Sequence, residues 1–359
     1  MKASRVISVV MALLVLFGVA GVFSHAAEIS RPSSISEFGP WVNHIVKYSL
    51  QDVEAFEQIA PSIMVMGGAK EQDGIFITEN YLLENIKVGD PGISERNLDG
   101  IELFLKKHNI PASFALIPTA VAIKQQEIAA TADLFNQKSF IADSYQRLIG
   151  QISSVDVYSA LFSAADEYTY YRTASNLTGL GGYYVYSAIA SRLGLSLRSL
   201  EQFEIEHLAD DYYGDLYARS SYKGIDPDLL TLYRFTQNDR SYRLINTKDG
   251  TSSAYYELFP MHLATLGKPN DVLFGGLGEI IDISVISPYN DSILIFGDET
   301  AMAYLPFISV HYGHITVVDL RYTTDEQLSE IDPEDYDQVL FAYSVKNFTQ
   351  NDFEIDRIA

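Results

Sequence analysis

The chain has 359 residues and carries 47 Asp and Glu against 25 Lys and Arg, which gives a formal net charge of −22 at pH 7. Its basic residues form no run, and phosphate backbones bind clustered Lys and Arg, so no nucleic-acid partner is expected. The absence of cysteine excludes disulfides, thiolate zinc sites and a cysteine nucleophile. The acidic residues at 332–337 lack the spacing of an EF-hand loop, and the sequence predicts no metal and no cofactor.

The first 27 residues have the three parts of a secretory signal. Two basic residues precede an apolar run over residues 6–23, and small residues follow it up to Ala27. The apolar run is close to the shortest length that spans a bilayer, so an uncleaved amino-terminal anchor is the alternative interpretation. Both interpretations place the rest of the chain outside the cytoplasm, either secreted or anchored to the outer face of the cytoplasmic membrane. Residues 28–69 are predicted to be a linker and amino-terminal extension.

Residues 70–359 are predicted to form one α/β domain. In chain order, the patterns predict a hairpin or edge strand near residues 75–83, an amphipathic helix over 97–108, a strand over 112–118, helices over about 120–135 and 141–151, a strand over 154–157, and a helix over about 180–193. The alternation of strand and helix favours parallel pairing through right-handed crossovers, because a tight hairpin cannot join parallel strands.

Residues 200–271 differ from the segments around them. They contain paired tyrosines, short strand-like pieces such as residues 241–245, and the turn Asp249-Gly250. These features predict an antiparallel insertion that packs on the main sheet. Buried strands then return at residues 280–286, 293–296, 315–318 and 339–343. The pattern as a whole predicts a three-layer, flavodoxin-like α/β fold with a mostly parallel sheet.

The segment from residue 293 to residue 300 is the most informative for function. Residues 293–296 are typical of a buried strand, Gly297 permits a sharp turn, and Asp298 can cap a helix predicted from about residue 299 to residue 312. Ligands of α/β proteins usually bind beyond the carboxyl ends of the strands. Asp298, Glu299 and Thr300 are therefore predicted to lie at a site that is similar to a serine-hydrolase nucleophile turn without its serine.

Three segments together resemble the DHHW family, bacterial cell-envelope proteins related to the SGNH-hydrolase-like proteins of alginate O-acetylation. These segments are residues 170–186, which include Tyr-Tyr-Arg-Thr, residues 274–322, which begin with Phe-Gly-Gly, and residues 336–348. The resemblance runs from about residue 70 to the carboxyl terminus. It implies an SGNH-hydrolase-like fold, a location in the cell envelope and a role connected with polysaccharide acetylation.

The same resemblance implies that the catalytic residues of the family are replaced. Where the family has T-D-H-H-W-T, this chain has residues 173–178, Thr-Ala-Ser-Asn-Leu-Thr. Ala174 then stands at the aspartate position, Asn176 at a histidine position, and Glu299 at the position of the nucleophilic serine. Asparagine has no titratable nitrogen that could activate a hydroxyl group. Triads lose several orders of magnitude in rate when one member is removed, so the sequence predicts no catalytic residues here.

Several residues beside the replaced positions are predicted to line the former cleft and to contact a ligand: Thr173, Ser175, Gly276, Asp298 and Thr300. Asp298 and Glu299 could instead form a glycosidase carboxylate pair, but neighbouring residues at a helix start point in different directions. A structural role is the simpler interpretation, with Asp298 as a helix cap and Glu299 interacting with the helix dipole. His311 and His314 are predicted at the far end of the same helix, too distant to act as bases.

The sequence therefore predicts an exported, catalytically degenerate SGNH-hydrolase-like protein that binds cell-envelope polysaccharide or assists its O-acetylation, with such a polysaccharide or an acetylation-complex protein as partner. One alternative is an active O-acetyltransferase or acetylesterase with a non-standard nucleophile, for which Thr300 is a candidate. The other is a protein-interaction module without a ligand in the cleft. The many tyrosines near residues 170–186 suit stacking on sugar faces, although core packing is the role expected for most of them.

Overall fold

The computed structural model describes residues 71–359 except 130–131, 221, 223, 237–240, 267–268 and 287–289. The predicted signal or anchor at residues 1–27 and nearly all of the predicted extension before residue 71 lie outside the described residues. No helix of the described residues combines the length and the apolar character that crossing a membrane requires.

The secondary-structure elements are named here in chain order. The strands are β1 (Glu71–Gln72), β2 (Ile75–Ile77), β3 (Leu82–Glu84), β4 (Ala112–Ile117), β5 (Ser153–Val155), β6 (Phe203–Tyr212), β7 (Asp228–Phe235), β8 (Ser241–Lys248), β9 (Thr251–Tyr255), β10 (Ile280–Ile286), β11 (Ser292–Gly297), β12 (His314–Val318) and β13 (Gln338–Ser344). The helices are α1 (Pro91–Lys107), α2 (Ala120–Ile123), α3 (Gln137–Arg147), α4 (Val157–Ser163), α5 (Gly179–Leu193), α6 (Asp215–Ser220), α7 (His262–Thr265), α8 (Ala301–Ile308), α9 (Asp325–Leu328) and α10 (Val345–Gln350).

The described residues divide into two compact units. The smaller unit contains the described residues of 71–85, 172–174 and 213–227, and the larger contains the described residues of 86–171, 175–212 and 228–359. In the smaller unit, β1, β2 and β3 form an antiparallel sheet. Its core is a cluster of buried apolar side chains: Ile75, Ile77, Leu82, Leu216 and Ile225.

The larger unit is built on an eight-stranded sheet with the order β5-β4-β13-β11-β12-β10-β8-β9. The first five strands in this order, β5, β4, β13, β11 and β12, pair in parallel. The other three strands, β10, β8 and β9, are added antiparallel next to β12. The buried strand β11, which ends at Gly297, lies inside the parallel part, between β13 and β12. The predicted α/β fold, a mostly parallel sheet with antiparallel strands, is confirmed.

Helices cover the parallel part of the sheet in two layers. On one face, Phe104 of α1 packs edge-on against Phe296 and Phe341, with ring centroids 6.1 and 5.2 Å apart. The other layer contains α5 and α8, where the rings of Tyr186 and Phe307 stack at 5.7 Å. These helices can approach closely because Gly182 of α5 has no side chain. A Cβ at this position would lie only 1.9 Å from the Ala303 carbonyl oxygen of α8. The contact fixes α8, the helix that follows the predicted site.

The segment at residues 200–271 is antiparallel, as predicted, but only part of it lies apart from the main sheet. Strands β6 and β7 form a two-stranded sheet, with register irregularities after His207. Strands β8 and β9 extend the main sheet edge through β10 instead of packing on its face. Residues 213–227 belong to the smaller unit.

Two predicted helices were too long. The helix predicted over residues 120–135 is only α2 and a 3-10 turn at Gln125–Glu127. It ends where the buried Lys124 ammonium donates hydrogen bonds to the carbonyl oxygens of Ala165 and Glu167, both at 2.5 Å, so a tertiary contact overrides the local propensity. The helix predicted over residues 299–312 is α8, Ala301–Ile308.

Candidate functional site

Three adjacent parallel strands, β12, β11 and β13, end at the same edge of the sheet. Their carboxyl ends carry polar residues that lie far apart in the sequence and contact one another. The turn after β11 supplies Asp298 and Glu299, the segment after β12 supplies Asp319 and Arg321, and the start of α10 after β13 supplies Asn347. This is the edge of an α/β sheet at which ligands usually bind.

Asp298 joins the β11 turn to the neighbouring strand. One carboxylate oxygen accepts hydrogen bonds from the backbone N–H and the hydroxyl group of Thr300, at 3.0 and 2.5 Å. The other accepts from the backbone N–H of Ser344 at 2.7 Å and from Nδ2 of Asn347 at 2.9 Å. Burial, and then the charge of Glu299, raise the pKa of Asp298, although these hydrogen bonds oppose the shift. With both oxygens occupied, Asp298 is a structural anchor of the turn.

Glu299 is held as a charged carboxylate. One oxygen accepts a hydrogen bond from a terminal guanidinium nitrogen of Arg321 at 2.6 Å, and the other accepts from Nδ2 of Asn347 at 2.8 Å. Burial favours the neutral acid, but the charge of Arg321 and the hydrogen bonds from Arg321 and Asn347 outweigh it and lower the pKa of Glu299. The predicted helix cap at Asp298 and first-turn position of Glu299 were wrong, because the N-cap of α8 is Thr300 and both residues precede it. The observed partner of Glu299 is Arg321, in a specific ion pair.

Arg321 is fixed on both sides. Its Nε and a terminal nitrogen donate to the two carboxylate oxygens of Asp319 at 2.9 and 2.6 Å, in the bidentate geometry that guanidinium groups favour. Its guanidinium group also lies 5.8 Å from the ring centroid of Phe353. Burial disfavours the charge, but the hydrogen bond to Asp319 and the charges of Glu299 and Asp319 raise the pKa of Arg321.

A cavity of about 250 Å³, called here the turn cavity, lies against the turn after β11. Its described lining brings together Asn176, Glu299 and Thr300, although Asn176 is more than one hundred residues away in the sequence. Asn176 reaches the cavity through a short antiparallel loop, in which Tyr170 pairs with Leu177 and the backbone N–H of Tyr171 donates to the Asn176 carbonyl oxygen at 3.1 Å.

Aromatic and charged groups complete the wall of the turn cavity. Three tyrosines line it, Tyr171, Tyr212 and Tyr233, together with the charged residues Lys248 and Asp271. Rings, one amide, one ammonium and two carboxylates therefore face one small space. Such a mixture of apolar surface and a few polar groups is typical of a small-molecule site.

The loop after Asp271 is held in an unusual conformation. Phe274, Gly275 and Gly276 have positive φ angles of 54°, 78° and 92° in succession. The side chain of Asn246 fixes this loop, because its Nδ2 donates to the carbonyl oxygens of Phe274 and Gly276, both at 2.8 Å. The loop carries Leu273 and Leu277 into the wall of the turn cavity. Sequence reasoning missed Asn246, since nothing local marks a buried asparagine in a strand as a loop anchor.

The other predicted ligand positions are not among the described residues that line the turn cavity. Thr173 and Ala174 are in the smaller unit, where the Thr173 hydroxyl oxygen accepts a hydrogen bond from the backbone N–H of Gly214 at 3.0 Å. A Cβ at Gly214 would lie 2.3 Å from the Ala174 methyl group. Ser175 precedes Asn176 in the larger unit and is half-buried. Gly276 is part of the strained loop, and Asp298 is buried beneath Thr300.

The two histidines predicted at the end of the α8 helix are not there. His311 lies in the turn after α8, where its Nε2 is 2.8 Å from the Tyr186 hydroxyl group. His314 begins β12, and its Nε2 is 2.6 Å from Oδ2 of Asp282 on β10. The prediction was wrong because α8 ends at Ile308 and the chain turns directly into the next strand.

Hydrogen bonds already engage the polar side chains of the turn that borders the cavity. The Thr300 hydroxyl group donates a hydrogen bond to Asp298, and the described lining of the cavity contains no histidine. The described residues also contain no group of three or more His, Cys, Asp or Glu side chains that could hold a metal ion. What remains is a set of hydrogen-bonding groups and aromatic faces around a fixed ion pair.

The mostly parallel sheet with its covering helices, and the sharp strand–turn–helix at its carboxyl edge, define a three-layer α/β protein. Residues 104–259 match the family model described as DHHW protein. The chain is also similar to the crystal structure of a DHHW family protein from Eubacterium siraeum, with 20% identity, a TM-score of 0.66, and coverage of 80% of this chain and 96% of that one. These findings confirm the resemblance to the DHHW family.

A further similarity is to PatB1 of Bacillus cereus. A structure with a sulfonyl adduct has 16% identity and a TM-score of 0.65, and covers 78% of this chain and 98% of PatB1. A second PatB1 structure has 17% identity and a TM-score of 0.63, and covers 78% and 99%. At these identities the likeness establishes the fold. Comparison with curated protein sequences gives no match.

Proposed function

We propose that this protein is an exported, catalytically inactive member of the DHHW type that binds an envelope polysaccharide through its turn cavity, either to hold the polymer or to present it to an acetylating partner. The observation that carries the proposal is the state of Glu299. At the position where the family resemblance places a nucleophilic serine, an ionised carboxylate is locked by Arg321 and Asn347.

Two features of the cavity favour a function in ligand binding over an activity in acyl transfer. A nucleophilic hydroxyl group needs an adjacent base, and Asn176, at the histidine position, has no titratable nitrogen. Three tyrosines form part of the wall, beside hydrogen-bonding groups for the hydroxyls of a sugar ring. Tyr212 is the half-buried one that offers its ring for stacking, whereas Tyr171 and Tyr233 are each 7% exposed and contribute only the edges of the wall. A volume of about 250 Å³ lies below the usual range for drug-sized ligands, so the cavity fits one sugar unit or one chain end at a time.

Export is proposed from the sequence. The three-part pattern in the first 27 residues supports secretion or anchoring at the outer face of the cytoplasmic membrane. The lack of cysteine is compatible with an oxidising compartment, because no thiol is present to be mispaired.

The proposed function is tested by measuring binding and turnover on the same purified protein. We expect saturable binding to an array of envelope glycans and no hydrolysis of a chromogenic acetyl ester above the rate in buffer. Glu299→Ser is expected to leave ester hydrolysis at that background rate, because a serine alone has no base. Brisk hydrolysis by the unmodified protein, or a protein partner captured from envelope extracts with no glycan bound, contradicts the proposal.

One observation favours the alternative of an active enzyme. The Thr300 hydroxyl group lines the turn cavity and lies 2.5 Å from a carboxylate oxygen of Asp298, whose pKa is raised by burial. A carboxylate in this position could act as a base for threonine. Acetyl-ester turnover that disappears in Thr300→Ala and survives in Glu299→Gln would establish this alternative. The three other hydrogen bonds that occupy Asp298 argue against it.

A further inference from the structure

A second cavity lies next to the turn cavity. Its volume is about 240 Å³, and two residues, Tyr233 and Pro306, form part of the wall of both cavities. The rest of its described lining comes mainly from β7, from Tyr242 of β8 and from the segment after β9, so we call it the side cavity. The two cavities therefore adjoin along these residues.

The side cavity is rich in aromatic side chains. Phe235, Tyr242, Tyr256 and Phe259 line it in addition to Tyr233. Tyr256 is 83% exposed, which is unusual for a ring of this size because burying it would remove much apolar surface from water. It is therefore positioned as an open stacking surface and not as a member of the core.

The charges around both cavities disfavour an anionic ligand. Arg234 of the side cavity is neutralised by Glu206, with Nε 2.8 Å from the carboxylate oxygen, and Glu299 is paired with Arg321. Among the described charged residues that line the two cavities, this leaves one cation, Lys248, against the carboxylates of Asp271 and Glu257. With a net charge of −22 on the whole chain, a polyanion approaching these cavities is repelled.

We infer that the turn cavity and the side cavity are adjacent subsites for one uncharged oligosaccharide of two or more rings, with Tyr256 as the stacking surface of the second subsite. This inference rests on the function proposed above and specifies its ligand. The first bound ring already bears most of the loss of translational and rotational freedom, so the second ring adds its contacts at a lower entropic cost. Affinity therefore increases with chain length.

The test measures dissociation constants by calorimetry with glucose, mannose and N-acetylglucosamine oligosaccharides of one to four rings, and with oligogalacturonates of the same lengths. We expect the dissociation constant of the best uncharged series to fall at least tenfold between one ring and two or more rings. Oligogalacturonates of equal length are expected to bind at least tenfold more weakly than that series.

Substitutions separate the two subsites. Tyr256→Ala is expected to raise the dissociation constant of the four-ring probe at least fivefold and to leave that of the one-ring probe unchanged, whereas Tyr256→Phe keeps the ring and the affinity. Phe162→Ala is the matched control, since Phe162 is an aromatic ring of α4 that is 54% exposed and lines neither cavity. It is expected to change neither constant.

The outcomes distinguish this inference from the proposed function. If no probe of either charge binds, the proposed function fails and the inference fails with it. If one-ring and four-ring probes bind equally well, or if Tyr256→Ala weakens both to the same extent, the inference is overturned while the proposed function stands. Oligogalacturonates that bind as tightly as the uncharged probes overturn the assignment of an uncharged ligand.

Discussion

At the scale of single residues, the site is defined by how one carboxylate is neutralised. Glu299 is a charged group at a position where the family resemblance places a serine, and its ion pair with Arg321 and its hydrogen bond from Asn347 compensate for its burial. A buried charge that lost these partners would cost several kcal/mol. Asn347 also donates a hydrogen bond to Asp298, so the partners that make Glu299 tolerable are part of the network that holds the turn.

Replacing Glu299 tests this relation. Glu299→Gln is expected to lower the free energy of unfolding by about 1–3 kcal/mol, because Arg321 loses a charged acceptor. The pKa of Glu299 is lowered in the folded state, so its contribution is present above the unfolded pKa of about 4.3 and is lost as the pH falls through the folded value. Urea unfolding of both proteins between pH 3 and pH 8 measures the difference.

The matched control is Glu95→Gln. Glu95 pairs with Arg147, but its side chain is 63% exposed, and exposed ion pairs contribute about 1 kcal/mol or less. If Glu299→Gln destabilises the protein no more than Glu95→Gln, or if its effect does not decrease toward acidic pH, the ion pair with Arg321 does not stabilise the turn.

His314 provides a second titration at residue scale. The hydrogen bond to Asp282, against the opposing effect of burial, raises the pKa of His314. A raised pKa means that this pair stabilises the fold fully below the unfolded pKa of about 6.5 and loses the effect as the pH rises through the folded value. The destabilisation caused by His314→Gln is therefore expected to be larger at pH 5 than at pH 9, as measured by guanidinium unfolding. Asp282→Asn should remove the same pH dependence, and an equal effect of His314→Gln at both pH values contradicts the assignment.

At the scale of elements, sequence patterns located the strands well and the helix ends poorly. The strand predicted at residues 293–296 is β11, Ser292–Gly297, since a run of buried apolar residues followed by glycine specifies both the strand and its turn. After α8 ends, the chain turns and His311 forms a hydrogen bond with Tyr186. These two residues are 125 positions apart in the sequence, so no local pattern predicts where the helix ends. Local periodicity predicts an element, and tertiary contacts decide where it stops.

The residues of the site were likewise predicted only in part, because tertiary contacts bring them together. That Asn176 and Glu299 line one cavity followed from the family resemblance, not from periodicity. The partners of Glu299 were not predicted, because Arg321 and Asn347 come from two other strand ends and meet it only in the folded sheet. The wall tyrosines Tyr212 and Tyr233 were also missed, because they lie on β6 and β7 within a segment that the sequence marked only as an insertion.

The close contact of α5 with α8 gives a prediction at element scale. Gly182→Ala is expected to destabilise the protein by about 1–3 kcal/mol or more, since the added methyl group would lie 1.9 Å from a backbone carbonyl of Ala303 that cannot rotate away. Thermal and urea unfolding measure the effect. Gly89→Ala is the control, because a Cβ at Gly89 has nothing within 4 Å, and its effect should stay within about 0.5 kcal/mol. Equal stability of the two variants would show that the helices can separate without cost.

At the scale of the whole molecule, acidity and ligand choice are linked. A formal charge of −22 makes the folded state repel itself, and the same field is expected to repel anionic polymers from the cavities. An uncharged ligand avoids this repulsion, so its affinity should depend little on ionic strength, whereas any weak binding of a polyanion should improve as salt screens the field.

Self-repulsion of this size predicts that salt stabilises the fold. Raising NaCl from 10 to 150 mM shortens the screening length from about 30 to about 8 Å, so distant carboxylates cease to interact while the short Glu299–Arg321 contact persists. At pH 7.5 the melting temperature is expected to rise by about 2 °C or more. Near pH 4.6, where the chain is neutral overall, the rise should vanish because there is little net repulsion left to screen. A salt-induced rise of the same size at both pH values would mean that ion-specific effects, and not net charge, govern stability, and it would also remove the electrostatic reason for an uncharged ligand.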